Sequence, residues 1–361
     1  MQNRGRPERL LACFRESERR MIPVCPALPI QARSCWNRSI VARCRDTIRA
    51  AQSDKSAQSD KRMSPGPNIF DRQLLRARQA RAHKLGPATF LLDRTASELG
   101  ERLSAVLRRF NVAVDLGTPT DAVRQVLAAS GKVGTIVAAN VHPADQAFLR
   151  VAADEEALPF ANASLDLVVS ALVLQFVNDL PGTLIQIRRA LKPDGLLLAA
   201  LVGGESLSEL RDAIATAEIE IEGGVSPHVA PFADVRELGT LLQRAGFALP
   251  VIDSERLVVR YDSVFALVRD LRQMGATNIL NERRRKPLNR ATVRRMTEIY
   301  RERFADEDGR LRASFEIVWL SGWAPHEGQQ RPLKPGSAGR RLSDALNTTE
   351  ISAGEKPERS R

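Results

Sequence analysis

From residue 112 onward, short runs of β-branched and other apolar residues alternate with stretches in which apolar residues recur at helical spacing. Parallel strands need crossover connections, which helices usually supply. The alternation therefore predicts an α/β fold, with a mostly parallel sheet and helices on both of its faces. The predicted strands are 112–116, 133–138, 164–170 and 195–202, and the predicted helices between them are 121–129, 143–150 and 179–191.

Further elements are predicted on both sides of this region. Residues 69–84 read as a helix with Asp71 as its N-cap, and residues 88–110 as a second helix whose apolar stripe includes Leu99 and Leu107. Later in the chain the same patterns predict helices at 205–222, 234–245, 262–274 and 290–304, and strands at 255–261 and 312–322.

The positive charge of the chain is concentrated in its first part. The 361 residues carry a formal net charge of +11, but residues 1–62 contain 14 Lys and Arg against 6 Asp and Glu, and the remainder is nearly balanced. We therefore do not expect a nucleic-acid groove in the folded part. No apolar run reaches the roughly 18 residues of a membrane span, so no integral membrane segment is expected.

Residues 1–62 also contain all four cysteines, at spacings that fit neither a redox pair nor a zinc site. Three interpretations stay open: translation begins at Met63, the segment is a disordered extension, or it is a targeting leader. A mitochondrial transit peptide usually avoids acidic residues, and this segment has six. A start at Met63 implies the bacterial cytoplasm, whereas a translated leader implies the mitochondrial matrix.

Polar residues follow the predicted strands, where ligands bind in open α/β sheets. The segments concerned read VDLGTPTD, AAN, ADEEALPF, SLDLVVSALVLQFVNDL and RRALKPDGLLLAAL, from residue 114 to residue 201. They resemble class I S-adenosylmethionine-dependent methyltransferases. Within that family they resemble the branch that holds the biotin-pathway malonyl-carrier methyltransferase and the complex I assembly-factor arginine hydroxylase. The segments that look like the assembly-factor branch are 223–232, 242–247, 270–278 and 319–323.

The resemblance extends from about Phe70 to Ala338 and implies a seven-stranded, mostly parallel Rossmann-like sheet with extra N-terminal helices. The expected division of the chain follows from it. It comprises the tail 1–62, N-terminal helices at 63–110, a methyltransferase-like domain at 111–326 with a lid insertion around 223–233, and a loose C-terminal tail at 327–361.

The resemblance also implies a site for S-adenosylmethionine. Asp115 and Gly117 belong to the first-strand loop, Asn140 stands at the ribose position, and Asp154 with its neighbour Glu155 stands at the adenine position. The loop keeps one glycine of the family's three, and Asn140 replaces an acidic residue. Two outcomes remain open: weakened or altered cofactor binding, or loss of the cofactor. Asp154 and Glu155 could instead be acidic residues at a helix N-terminus.

Substrate contacts are expected at Gln175, which replaces a histidine common in this branch, and at Ser226 and His228 in the lid. The alternative for the lid residues is a rigid turn. Residues 283–286 read either as a solvated charge run at the start of a helix or as a docking patch. No residue identifies itself as the catalytic one.

The function we expect from this resemblance is that of an S-adenosylmethionine-dependent methyltransferase-family enzyme acting in complex I assembly. Two alternatives remain: an arginine hydroxylase that modifies a complex I subunit, and a non-catalytic assembly chaperone that has lost its cofactor. None of the four histidines begins an H-x-D/E element, so no iron site of the two-histidine, one-carboxylate kind is predicted. The expected partner is a protein substrate, and no metal is expected.

Overall fold

The computed structural model describes residues 68–141, 148–330, 339 and 341–349. The tail 1–62 lies outside the described residues, as does most of the predicted helix 143–150. The chain divides into two compact units, Met1–Ala324 and Pro325–Arg361. The described part of the second unit contains a short helix at Leu342–Leu346.

Seven strands of the first unit form one sheet in the order β3-β2-β1-β4-β5-β7-β6. The neighbours from β3 to β5 are parallel, whereas β7 runs antiparallel to both β5 and β6. The predicted seven-stranded, mostly parallel sheet is confirmed. The strands are β1 Phe110–Leu116, β2 Val133–Asn140, β3 Leu149–Ala152, β4 Leu165–Ala171, β5 Leu191–Val202, β6 Ala248–Tyr261 and β7 Leu311–Trp323.

Several of the described helices follow a polar residue whose side chain caps their first turn. The side chains of Asp71, Asp179, Ser263 and Asn289 each accept a hydrogen bond from a backbone N–H in the first turn of the helix that follows. The N-cap predicted at Asp71 is thus confirmed. The helices are α1 Arg72–Leu85, α2 Phe90–Ala105, α3 Ala122–Ala129, α4 Leu180–Ala190, α5 Ser208–Glu222, α6 Val235–Arg244, α7 Val264–Gln273, α8 Arg290–Phe304 and α9 Leu342–Leu346.

Apolar side chains cover both faces of the sheet. Successive residues of β1 point to opposite faces, so Ala113 belongs to one core cluster and Val114 to the other. The first cluster takes side chains from α2, α3, α5, α7 and α8, and the second from α4 and α6. Helices on both faces were predicted, and the two clusters confirm them. No helix in the described ranges is long and apolar enough to span a bilayer.

The second predicted helix was drawn too long at its C-terminal end. Helix α2 ends at Ala105, and β1 already begins at Phe110. The Lys132 ammonium group donates to the carbonyl oxygens of Leu103 and Ser104, at 2.9 and 2.7 Å, and so satisfies the last turn. Leu107, which was placed in the apolar stripe, is 98% exposed.

Two further predictions are corrected at the sheet edges. Residues 149–150 were assigned to a helix, but they belong to β3, which pairs with the end of β2. The predicted strand 255–261 begins earlier, at Ala248, because its first half pairs with the last residues of β7. In both cases pairing with a distant strand decided the structure, and local spacing did not reveal it.

Truncation of Leu99 should destabilise the protein strongly, because this α2 side chain is fully buried. We expect Leu99→Ala to lower the free energy of unfolding in urea by about 2–5 kcal/mol, through lost burial and the cavity that remains. Leu107→Ala is the matched control, and it should leave the unfolding free energy within about 0.5 kcal/mol of the wild-type value. Equal losses for the two variants would contradict the described end of α2.

Candidate functional site

The order of the strands reverses at β1, which lies between β2 and β4. Open α/β sheets bind ligands outside the carboxyl ends of their strands at such a switch point. Three segments meet there: the loop 117–121 after β1, the turn 153–157 after β3, and the segment 172–178 after β4. Of the predicted cofactor residues, Gly117, Asp154 and Glu155 lie in these segments, Asp115 lies near the end of β1, and Asn140 ends the neighbouring strand β2.

Asp115 at the end of β1 is buried and bonded within the chain. The Arg124 guanidinium of α3 donates through Nη1 to Asp115 Oδ2 at 2.5 Å, and the Thr118 hydroxyl donates to the other carboxylate oxygen. The side chains of Asp115 and Arg124 are 0% and 3% exposed. Burial raises the pKa of Asp115 to about 6, against the lowering effects of Thr118 and Arg124. This carboxyl group therefore holds the loop and α3 together.

Gly117 is held where no side chain would fit. Its φ is +79°, and an added Cβ would lie 2.6 Å from Val173 Cγ1 and 2.9 Å from Glu155 Oε1. Its N–H donates to the carbonyl oxygen of Ala139 at 2.7 Å. The one glycine that the loop retains is therefore required by close packing at the switch point.

Asn140 ends β2 with an acceptor that is available to a ligand. Its Oδ1 atom is buried and has no hydrogen-bond partner among the described residues. A buried acceptor without a donor costs about 1–3 kcal/mol. A hydroxyl group such as those of a ribose would satisfy it, so this residue fits the predicted cofactor.

Asp154 and Glu155 bind two arginine side chains of α1. Arg72 Nη2 lies 2.7 Å from Asp154 Oδ1 and also donates to Glu155, while Arg76 donates to the second oxygen of Asp154. Arg72 Nη1 further donates to the Phe176 carbonyl oxygen at 3.3 Å. The candidate adenine residues are thus already engaged by guanidinium groups of the chain itself.

The same contacts keep Asp154 ionised. Burial opposes its ionisation, but the Glu156 amide N–H and the two guanidinium groups outweigh this effect and lower the pKa of Asp154. The alternative that these residues start a helix is wrong, because they form a turn directly after β3. Sequence reasoning missed both Arg72 and Arg76. The only available signal was the need of three consecutive acidic residues for counter-charges.

Three segments, here called the cap, pack together beside the switch point: residues 68–78, 226–232 and 276–281. Their shared apolar cluster also includes Phe176 from the segment after β4. The cap is tied to the site by polar contacts as well, since Phe70 N–H donates to Asn178 Oδ1 and Asn178 N–H donates to Glu156 Oε1, both at 2.7 Å. Cap and strand ends therefore form one connected structure.

The lid residues of the cap are bonded to α5 through Glu218, whose side chain is 1% exposed. Ser226 N–H donates to Glu218 Oε2, and His228 Nε2 lies near Glu218 Oε1, both at 2.8 Å. Pro227 in turn accepts a hydrogen bond from Asn278 Nδ2 at 2.7 Å. These contacts hold the lid in place, and substrate contacts of Ser226 and His228 remain a prediction.

Gln175 presents a second available acceptor. Its Nε2 donates to the Leu172 carbonyl oxygen at 2.7 Å, which fixes the orientation of the amide. Its Oε1 atom is buried and finds no hydrogen-bond partner in the part of the chain that the structure describes. A donor on a ligand would satisfy this atom, and the predicted substrate contact of Gln175 therefore stays a prediction with a chemical basis.

The residues of the charge run 283–286 fall into two groups: two form ion pairs and two are exposed. Arg283 pairs with Asp71 at 3.2 Å, and Arg284 forms an ion pair with Glu222. Arg285 and Lys286 are exposed, as a solvated run predicts. The run does not start a helix, since α8 begins at Arg290. Among the residues described here, no three His, Cys, Asp or Glu side chains are grouped as metal ligands.

Removal of Arg124 should destabilise the protein, because it leaves the buried Asp115 carboxylate without its cation. We expect Arg124→Ala to lower the free energy of unfolding by about 3–5 kcal/mol in urea at neutral pH. Arg189→Ala on the exposed side of α4 is the matched control and should change it by less than about 0.5 kcal/mol. A loss below 1 kcal/mol for Arg124→Ala would contradict the buried pair.

Removal of Glu218 should release the lid. Glu218→Ala leaves the Ser226 N–H without its acceptor, and it removes one of the two carboxylates that face the Arg284 guanidinium, 3.5 Å from Glu218 Oε1. We expect a loss of about 2–4 kcal/mol in unfolding free energy and faster protease cleavage within residues 223–232. Glu220→Ala removes a surface ion pair with Arg295 from the same helix and should leave both readouts unchanged. Equal cleavage rates in the two variants would refute the role assigned to Glu218.

Comparison with known proteins identifies the family of this chain. A family model described as a methyltransferase domain matches residues 114–199. The chain is 36% identical over 289 residues to the arginine hydroxylase NDUFAF5, mitochondrial, of Danio rerio, which is 77% of this chain and 90% of that protein. It is 39% identical over 284 residues to the Homo sapiens protein of the same name, which is 75% of this chain and 81% of that protein.

A malonyl-[acyl-carrier protein] O-methyltransferase of Laribacter hongkongensis is 42% identical over 186 residues, which is 52% of this chain and 60% of that protein. The similarity to NDUFAF5 thus extends far beyond the methyltransferase domain, over most of the length of both proteins. The chain belongs to the methyltransferase-domain family that includes the arginine hydroxylase NDUFAF5.

Proposed function

We propose that this protein acts in the assembly of respiratory complex I by modifying an arginine side chain of one of its subunits. The observation that carries the proposal is the similarity to NDUFAF5 over 90% of the length of the Danio rerio protein. The name of that relative describes an arginine hydroxylase. The expected substrate is therefore a protein, and the modified group is a guanidinium-bearing side chain.

The geometry of the cap supports this assignment. The segments that resemble the assembly-factor branch, 223–232 and 270–278, lie outside the matched methyltransferase domain. The fold brings them together, since Asn278 Nδ2 donates to the Pro227 carbonyl oxygen. The cap stands beside the switch point, where a protein substrate would have to approach.

S-adenosylmethionine is the proposed cofactor, and it supplies an electrophilic methyl group when it is bound. Asn140 would hold the ribose through its available Oδ1 atom, and Asp154 would hold the adenine. Gly117 would lie against the methionine half, with Asp115 and Glu155 beside it. Asn140 fits this role as it stands, whereas Asp154 and Glu155 are engaged by Arg72.

The reaction is proposed at the level of arginine modification, with methyl transfer and hydroxylation as its two forms. The methyltransferase domain favours methyl transfer, and the name of the relatives favours hydroxylation. The products differ, because methylation adds one methylene unit to the mass of the side chain, whereas hydroxylation adds one oxygen atom, for which dioxygen and a two-electron reductant would be the co-substrates.

A non-catalytic assembly chaperone is the second candidate, and a specific observation favours it. Asp115, Asp154 and Glu155 all have partners within the chain, and the loop after β1 keeps one glycine only. A chaperone that binds no cofactor could use all three carboxylates for contacts within its own chain, which is the arrangement seen here.

The bacterial cytoplasm is the first of two proposed locations. The mitochondrial matrix is the alternative, and it agrees with the names of the NDUFAF5 relatives.

Deletion of the gene tests the proposed function. We expect less assembled complex I on native gels and the loss of an arginine modification in the peptide masses of a complex I subunit. Wild-type protein should restore both, and Asp154→Asn should restore neither. Asp212→Asn, which removes a surface carboxylate that pairs with Arg303, is the control and should restore both.

The outcomes separate the candidates. A mass difference of one oxygen or one methylene identifies the reaction. Reduced complex I without any change in arginine masses would establish the chaperone in place of the enzyme. Normal complex I together with unchanged arginine masses in the deletion strain would contradict the proposed function altogether.

A further inference from the structure

The Arg72 side chain lies at the switch point. Its guanidinium group binds Asp154 and Glu155 and reaches the carbonyl oxygen of Phe176, so it touches both the turn after β3 and the segment after β4. Its side chain is 13% exposed. This arginine belongs to α1, an element that precedes the sheet and has no place in the matched methyltransferase domain.

The ion pair fills space that borders the loop after β1. Glu155 Oε1 lies 2.9 Å from the position that a Cβ on Gly117 would take. The Glu155 side chain is 9% exposed, and it is held in this position by Arg72. A ligand that enters beside Gly117 must therefore meet the Arg72–Glu155 pair.

The carboxylates of the turn after β3 and the guanidinium groups of α1 neutralise one another. Asp154 and Glu155 are adjacent carboxylates in a partly buried turn, and their repulsion is relieved by the two guanidinium groups of α1. Arg76 donates to the second oxygen of Asp154, so each carboxylate oxygen already accepts a hydrogen bond from a guanidinium group. A ligand that uses Asp154 therefore competes with these guanidinium groups for the carboxylate.

Helix α1 is also coupled to the rest of the cap. Asp71 N–H donates to the Ile279 carbonyl oxygen at 2.8 Å, and the Asp71 carboxylate pairs with Arg283 at 3.2 Å. The Arg78 guanidinium donates to the Asn278 carbonyl oxygen. A movement of the start of α1 away from the switch point would therefore also have to break these contacts with residues 278–283.

We infer that α1 is an internal competitor for the ligand of this crevice. The engagement of Asp154 and Glu155 by Arg72 and Arg76 competes with the binding of S-adenosylmethionine for the same carboxylates. The inference rests on the proposed cofactor. Helix α1 thereby lowers the affinity of the switch point for this ligand until a partner displaces α1.

Calorimetric titration of S-adenosylmethionine into the full chain tests this competition. The double variant Arg72→Gln, Arg76→Gln should bind at least about fivefold more tightly than the wild type, because no ion pair has to be broken first. Arg81→Gln is the control, since Arg81 is exposed on the same helix, and its dissociation constant should equal that of the wild type. An unchanged or weakened affinity of the folded double variant would overturn the inference.

Amide hydrogen exchange of the wild type gives a second readout that needs no variant. Saturating S-adenosylmethionine should accelerate exchange in the first two turns of α1, as those turns leave Asp154 and Glu155. Slower exchange there would mean that α1 closes on the cofactor, and it would overturn the inference. If the double variant does not fold, Arg76→Gln alone serves, because Arg76 is one-third exposed and its ion pair is with Asp154.

The failure of this inference can be told apart from failure of the proposed function. Absence of binding in both the wild type and the folded double variant, at millimolar cofactor, would overturn the competition, since removal of the arginines did not open the site. The complex I content and arginine masses of the deletion strain do not depend on that result, and they decide the proposed function by themselves.

Discussion

Carboxylates collect at the carboxyl edge of this sheet, and the positions of the surrounding elements depend on how they are neutralised. Asp115 and Glu155 are buried there, and neither has enough water around it to carry a charge alone. Asp115 pairs with Arg124 of the helix that follows its own strand. Glu155 pairs with Arg72 of a helix that precedes the sheet. The first pair ties the loop to α3, and the second ties α1 across the edge.

These pairs also explain why a loop with a single glycine still forms a tight strand-to-helix turn. In place of further glycines, the turn has Thr118, whose hydroxyl donates to Asp115, and Pro119, whose ring restricts its backbone. The turn is therefore stabilised by side-chain contacts within the protein. A cofactor bound here would contact side chains where other loops of this kind offer bare backbone.

Sequence reasoning predicted most of what depends on local pattern. The strands with β-branched runs, the cap at Asp71 and the helices on both faces followed from spacing and composition. It failed where contacts with distant residues decide the structure. Leu107 was expected in the helix, but α2 ends before it, where Lys132 binds the carbonyl oxygens of Leu103 and Val106. The candidate residues of the site were found through family resemblance. Arg72 was missed because a charge at the start of an amphipathic helix looks solvated until its partner, over 80 residues away, is known.

The contacts of residues 68–78 constrain the order in which parts of the chain can pack during synthesis. Residues 68–78 bond to residues 278–283, which leave the ribosome some 200 residues later. The strands β1 to β5 and the turn with Asp154 are synthesised in between. Helix α1 and the turn with Asp154 can therefore pair on the nascent chain before the last segment of the cap has been made. The contacts that fix the start of α1 against residues 278–283 form only after those residues have been synthesised.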